Sequence, residues 1–162
     1  MENKFILTLI AFLLISYNSS SEVFQASGIF ISPKNIQIGN VEMIEQGAGS
    51  NFRIHLEGLV PGSYAFYIHE KGLCDTPNFA STGNPIRLGT KDFVTIYVKN
   101  NVSKYTGKLK PFNQIIFLRG IYLNPKSEYT ILDKNESSIV IQEKTTTGKR
   151  VACAVIKKGP LN

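Results

Sequence analysis

The sequence of 162 residues predicts an all-β domain, folded as a sandwich or a closed barrel of short strands. Short segments rich in Val, Ile, Phe and Tyr place apolar residues at alternate positions, which is the period of a half-buried strand. Clusters of Gly, Pro, Asn and Ser separate these segments, and no stretch after the N-terminal region shows a helical period over ten residues. The predicted strands are 36–43, 52–56, 64–69, 93–98, 115–123, 139–142 and 151–156.

Two of the connections contain recognisable turn residues. Residues 46–51, QGAGSN, predict a hairpin loop, and residues 60–63, VPGS, contain a Pro-Gly turn.

Between these two turns, the apolar Ile54 and Leu56 flank His55, so His55 is predicted to point to solvent. The length suits a single domain, and no linker or internal repeat divides the chain.

The first 21 residues predict a cleaved signal peptide that is not part of the domain. A short charged start is followed by the apolar run 5–17 and then by small polar residues. The run is short for a membrane span, and cleavage after Ser21 places small residues, Ser19 and Ser21, at the two required positions. A retained anchor is the alternative. The mature domain, 22–162, is then expected to be secreted or periplasmic, without stable membrane insertion.

Two cysteines, Cys74 and Cys153, remain in this exported chain. An even number in an oxidising compartment predicts one disulfide, whereas two distant thiols are too few for a metal site. The triplets at Asn101 and Asn135 are glycosylation sequons that matter only if the host glycosylates.

The formal net charge of the chain is +6. Its cations look scattered along the sequence, which predicts a solvated basic surface and leaves weak attraction to anionic surfaces as the alternative. No basic helix or interleaved aromatic platform is present, so no nucleic-acid partner is expected.

Two segments resemble the signatures of copper/zinc superoxide dismutases. Residues 58–75, GLVPGSYAFYIHEKGLCD, are similar to the family's GL-x-PG-x-HGFHxHE-x-G-x-C, and residues 148–156, GKRVACAVI, are similar to GSRLACGVI. STGNP at 81–85 is similar to SAGGHFNP, and RGIYLNPKSE at 119–128 to the strand RTLVVHEKAD. The resemblance covers most of the mature chain, and its KG-x-C form is closer to bacterial-type sequences. It implies an eight-stranded Greek-key β-barrel in which Cys74 pairs with Cys153.

Carried over residue by residue, the resemblance leaves little of the family's metal site. Copper is held there by four histidines, and zinc by three histidines and an aspartate, one histidine bridging the two ions. Here Tyr67 stands at the first histidine of HxH, His69 retains the second, and Asn124 corresponds to the last copper histidine. The bridging histidine before the Asn-Pro pair and the zinc loop after it are missing. No bound cofactor is therefore expected, and Tyr67 is expected to fill part of the space of the metal site.

Dismutation requires a reversible one-electron couple that the ordinary side chains here do not supply. We therefore expect no dismutase activity and a role in binding or structure, with an unidentified protein or a small anionic ligand as partner. Arg150 matches the family's anion-guiding arginine, and its alternative role is to pin a loop beside the disulfide. The segment 124–150, which contains the apolar stretches 129–132 and 138–142, is predicted to form extra strand structure or a contact patch.

The residues leave two other interpretations open. The main competing one is a divergent superoxide dismutase that binds copper through His69 and non-standard ligands. A copper-sequestering module is a third, and it also requires bound metal. Homodimers are common in the family, but the sequence identifies no interface.

Overall fold

The computed structural model describes residues 22–88, 93–100 and 102–161. Within these ranges there are eight β-strands and one short 3-10 helix, Ala80–Thr82. The strands are β1 Gln25–Ile31, β2 Gln37–Gln46, β3 Gly49–Leu56, β4 Gly62–His69, β5 Val94–Val98, β6 Phe112–Arg119, β7 Ser137–Glu143 and β8 Arg150–Lys158.

All the strand pairs are antiparallel, and the strands follow the order β5-β4-β7-β8-β1-β2-β3-β6 in one sheet. The sheet curls into a nearly closed barrel. Neighbours in the sheet such as β4 and β7, or β3 and β6, are far apart in sequence, which requires long crossing connections of the Greek-key kind. The prediction of an all-β, eight-stranded barrel is confirmed.

The interior of the barrel is filled by alternate residues of each strand, as the apolar alternation predicted. Phe52 and Phe66 are fully buried, and their rings meet edge to face with centroids 5.8 Å apart. On the outer face of β3, the Nδ1 atom of His55 lies 2.8 Å from Oδ1 of Asn113. His55 is therefore half-exposed on the side of the strand predicted for it, opposite the buried Ile54.

The bounds of several elements differ from the prediction. β1 was not predicted, because its inward and covered positions are small residues, such as Ala26, and not an apolar alternation. A Cβ on Gly28 would lie 2.7 Å from the carbonyl oxygen of Val155, so the backbones of β1 and β8 approach closely there. The loop predicted at 46–51 is reduced to residues 47–48, and β6 ends at 119 instead of 123.

The tight contact of β3 with β6 predicts a strong effect at Gly49, the first residue of β3. A Cβ there would lie 2.1 Å from the carbonyl oxygen of Leu118. Gly49→Ala is therefore expected to destabilise the fold by about 2–3 kcal/mol, because backbone must move apart. Gly62→Ala, at the first residue of β4, is the control, because its Cβ would meet only a ring carbon of Tyr64 at 3.8 Å. Urea unfolding measures both, and equal midpoints would contradict the prediction.

Two predictions lie outside the described residues, namely the signal peptide at 1–21 and the sequon residue Asn101. In the part of the chain that is described, no helix combines the length and apolar character that a membrane span needs.

Candidate functional site

The candidate site lies on the outer face of the barrel wall formed by β4 and β7. Directly paired residues of antiparallel strands share a face. The register pairs Tyr67 with Val140 and His69 with Ser138. Since the alternate residue Ile68 is buried in the core, Tyr67 and His69 both project outward from β4.

The connection that follows β4 covers this outer face. It is joined to β4 by a β-bridge between His69 and Pro85, and to β8 by the disulfide between Cys74 and Cys153, whose Cα atoms are 5.8 Å apart. Phe79, from the same connection, is fully buried in a small cluster with Val140 and Cys153. The predicted disulfide is confirmed, and it fixes the cover over the site.

His69 is buried under this cover and is hydrogen-bonded by it. Its Nδ1 atom lies 2.9 Å from the carbonyl oxygen of Gly83 and 3.1 Å from Oγ1 of Thr82. Because a carbonyl oxygen only accepts, Nδ1 carries the proton in the neutral ring. Burial lowers the pKa of His69 below its ordinary value of 6.5; the hydrogen bond to Gly83 opposes this, Arg150 adds to the lowering, and Glu70 opposes it.

The lowered pKa of His69 predicts a pH dependence of stability. Below pH 6.5, the ordinary pKa, the unfolded chain protonates this side chain while the folded chain resists protonation, so unfolding takes up a proton. The stabilisation is therefore complete above that pH and decreases as the pH falls through the folded-state pKa. Urea unfolding of wild type and His69→Gln is measured from about pH 7.5 to 5. The free energy of unfolding should decrease less steeply with falling pH in the variant than in the wild type. His55→Gln is the control, and equal slopes for wild type and His69→Gln would contradict the prediction.

Arg150, at the start of β8, ties the same cover to the barrel. One guanidinium nitrogen donates to the carbonyl oxygen of Phe79 at 2.5 Å and to Oγ1 of Thr82 at 3.3 Å. The hydroxyl of Thr82 in turn donates to the carbonyl oxygen of Phe79 at 3.0 Å. Arg150 is thus connected to His69 through Thr82, and these hydrogen bonds are those of a residue that pins a loop to the barrel.

Aromatic rings fill the space beside His69. The ring of Tyr67 lies between those of His69 and Phe93, with centroid distances of 5.9 Å and 5.3 Å. The Nζ atom of Lys144 lies 5.1 Å from the centroid of Phe93 and donates to Oγ1 of Thr95 at 3.1 Å. Such ring and cation–π contacts stabilise side chains in place. Tyr67 is thus packed between two rings on the outer face of β4.

The structure does not bring Asn124 to this face. Its backbone N–H donates to Oε2 of Glu45 at 2.8 Å, and its side-chain oxygen accepts from the N–H of Lys126 at 2.9 Å. Asn124 therefore forms a turn in the connection between β6 and β7, next to the end of β2. The alignment of residues 119–128 with the strand RTLVVHEKAD is wrong, because β6 ends at the first residue of that segment, Arg119, and pairs with β3 instead of β4.

Gln142 is the residue that sequence reasoning missed. It lies on β7 directly opposite Ala65, on the face that Tyr67 and His69 share. Placing the family strand TLVVHEK on residues 138–144, SIVIQEK, puts its histidine at Gln142. The similarity of 138–144 to the family strand can be read from the sequence. Choosing between this segment and 119–128, however, requires knowing which of them pairs with β4.

The same register decides between the two alternatives predicted for 138–142 in the segment 124–150: this stretch forms strand structure and not a contact patch. Residues 138–142 form the middle of β7, where Ile139, Val140 and Ile141 are fully buried. Their apolar side chains are shared between the barrel core and the cover over the outer face. In the 129–132 stretch, Ile131 is also buried, and Tyr129 is exposed.

These residues do not fit copper or zinc. Among the residues that the structure describes, no three His, Cys, Asp or Glu side chains lie together as a metal-binding group. On the outer face, His69 offers one imidazole, whereas Tyr67 and Gln142 offer a phenol and an amide. Imidazole is the suitable donor for both metals, and several donors must converge within about 2 Å. The donor set is therefore too small at the positions that the family alignment selects.

Comparisons with known proteins agree on one family. No protein-family model matches the chain. The chain is 30% identical over 142 residues to a copper/zinc superoxide dismutase of Caulobacter vibrioides, covering 74% of this chain and 78% of the relative. It is 26% identical to copper/zinc superoxide dismutase 2 of Aquifex aeolicus, covering 90% of this chain and 94% of the relative.

Solved structures show the same fold. A superoxide dismutase-like protein from Bacillus subtilis superposes with a TM-score of 0.64 at 22% identity, covering 82% of this chain and 98% of that one. The copper/zinc superoxide dismutase of Brucella abortus superposes with a TM-score of 0.55 at 17% identity, covering 82% of this chain and 99% of that one. At these sequence identities, the structural similarity shows the barrel fold alone.

Proposed function

Because the chain belongs to the copper/zinc superoxide dismutase family, we propose that it is a member that binds neither metal and does not catalyse dismutation. The observation that carries this proposal is the outer face of β4 and β7. Of the ligand positions aligned there, only His69 holds an imidazole, and the ring of Tyr67 packs between His69 and Phe93. These side chains do not supply the reversible one-electron couple that dismutation requires.

The proposed role is that of an exported binding or structural protein. The disulfide between Cys74 and Cys153 supports export, because such bonds persist in oxidising compartments. The cover over β4 and β7 is held by the disulfide, by the β-bridge to Pro85 and by the hydrogen bonds of Arg150. These contacts supply a rigid barrel surface without a metal.

Elemental analysis tests the proposal. The mature chain, 22–162, is produced with its disulfide formed, loaded with copper and zinc, and dialysed exhaustively. We expect far less than one equivalent of either metal, for lack of converging imidazoles. A stoichiometry of about one copper per chain that is lost in His69→Ala and kept in His55→Ala would overturn the proposal. That result would support the competing copper-dependent dismutase, for which superoxide turnover is then the decisive assay.

A further inference from the structure

The positive charge of the chain is concentrated in one stretch of sequence. Residues 93–127 contain six Lys and Arg residues and no Asp or Glu. Elsewhere, the remaining 12 cations are balanced by the 12 acidic residues, so this stretch accounts for the formal net charge of +6. The cations are therefore not evenly scattered along the sequence, because residues 93–127 contain a local excess of positive charge. In the fold, the stretch comprises β5, β6, the connection between them and the start of the next connection.

The connection between β5 and β6, here called the basic arm, consists of residues 99–100 and 102–111. It is closed by an antiparallel bridge between Val102 and Leu109. Four exposed lysines lie along it, and none of them forms an ion pair with another described residue. These lysines are Lys99, Lys104, Lys108 and Lys110. The arm thus presents uncompensated positive charge to solvent.

At the tip of the basic arm, the side chain of a tyrosine is fully exposed to solvent. The N–H of Ser103 donates to the carbonyl oxygen of Lys108 at 2.8 Å, and the N–H of Gly107 donates to the carbonyl oxygen of Ser103 at 2.9 Å. Between them, Tyr105 is 100% exposed. The turn is therefore closed by its own hydrogen bonds, and Tyr105 contributes no packing to the fold.

A cleft lies where the basic arm joins the barrel. Its volume is about 480 Å³, and it is bounded by the end of β5 and the start of β6. Lys99 and Lys110 line it together with Tyr97, and no acidic residue does. An anionic group such as a phosphate could thus approach two ammonium groups at the base of the arm.

We propose that the basic arm docks the protein on a membrane surface rich in anionic lipid. Exposed lysines are attracted to anionic headgroups, each adding to the binding. A tyrosine ring suits the interface because one end is apolar and the other polar. The turn carries one aromatic ring, Tyr105, and so provides no platform on which successive bases could stack. The contact is peripheral, with the barrel remaining outside the bilayer.

Vesicle cosedimentation tests this proposal with the mature chain, 22–162. Vesicles of phosphatidylcholine containing phosphatidylglycerol are compared with vesicles of phosphatidylcholine alone. We expect binding only to the anionic vesicles, and its loss at about 1 M NaCl, where the Debye length is about 3 Å. Lys104→Gln/Lys108→Gln should weaken binding roughly 10- to 30-fold, given the contribution expected from each cation.

The matched control is Lys34→Gln/Lys134→Gln, which removes the same charge from exposed positions outside the basic arm. Binding of this control should be almost unchanged. An equal loss in both double variants would overturn the proposal, since net charge alone would then explain binding. Equal binding to both kinds of vesicle would also overturn it. So would abolition of binding by millimolar inorganic phosphate, or binding to a soluble polyanion without binding to vesicles.

Fluorescence distinguishes insertion of the tip from attraction alone. The chain contains no tryptophan, so Tyr105→Trp introduces a single indole at the tip of the basic arm. Its emission should shift to shorter wavelength with anionic vesicles and not with neutral ones. Tyr129→Trp, at another exposed tyrosine, is the control and should not shift. An unshifted emission of Tyr105→Trp in the vesicle-bound state would contradict the role assigned to Tyr105.

Discussion

The double variant Tyr67→His/Gln142→His is expected to raise bound copper from near zero to about one equivalent per chain. The two replaced side chains share the outer face of β4 and β7 with His69. Gln142 lies diagonally across the strand pair from Tyr67, within the reach of side chains across a sheet, and His69 is the next residue on the same face of β4. The variant would therefore place three imidazoles on one face of the two paired strands. Elemental analysis gives the stoichiometry, and the Cu(II) electron paramagnetic resonance spectrum reports nitrogen ligation.

The matched control for this prediction is Tyr67→His/Asn124→His, which adds the same two residues according to the sequence alignment alone. Because Asn124 is held in a turn beside Glu45, this variant is expected to gain no copper. The opposite ranking of the two variants would show that the register of β7 with β4 does not identify the ligand position. No gain in either one would mean that the rings around Tyr67 leave no room for the metal.

The second large effect is expected at the disulfide. Cys74→Ala/Cys153→Ala removes a bond that joins residues 79 positions apart in the chain. In the chain-entropy description, a loop of this length contributes about 4–5 kcal/mol to the free energy of unfolding. The variant is therefore expected to lose most of that amount in urea unfolding.

Reduction provides the control for the disulfide. Dithiothreitol should destabilise the wild type by a similar amount and leave the double variant unchanged. A variant that unfolds at the same urea concentration as the oxidised wild type would show that the remaining contacts hold the cover. Among those contacts, the hydrogen bond from Arg150 to Phe79 would then be the first to remove.

The barrel was predictable because its core depends on local alternation. The fully buried Ile54 and Phe66 lie in segments where every second residue is apolar, and such segments are recognisable without knowing their neighbours. β1 was not recognisable in this way. Its close approach to β8 requires small residues such as Gly28. The need for a small residue there is set by β8, which lies more than a hundred residues away in the sequence.

The candidate site was only partly predictable for the same reason. Tyr67 and His69 follow from one continuous motif, and so does their common face. Gln142 depends on which distant strand pairs with β4, and two segments had suitable alternation. Local pattern cannot make that choice, because the register is fixed by pairing and by burial of Ile139 and Ile141 in the core.

The concentration of positive charge in residues 93–127 also gives the molecule an electric asymmetry. The remainder of the chain is neutral overall, so the centre of positive charge is displaced from the centre of mass. The field of a negatively charged surface therefore orients the protein during its approach, and it also raises the rate of association. The rate of arrival, and not only the equilibrium, should therefore decrease with added salt. Successive molecules would meet the surface with the same side first.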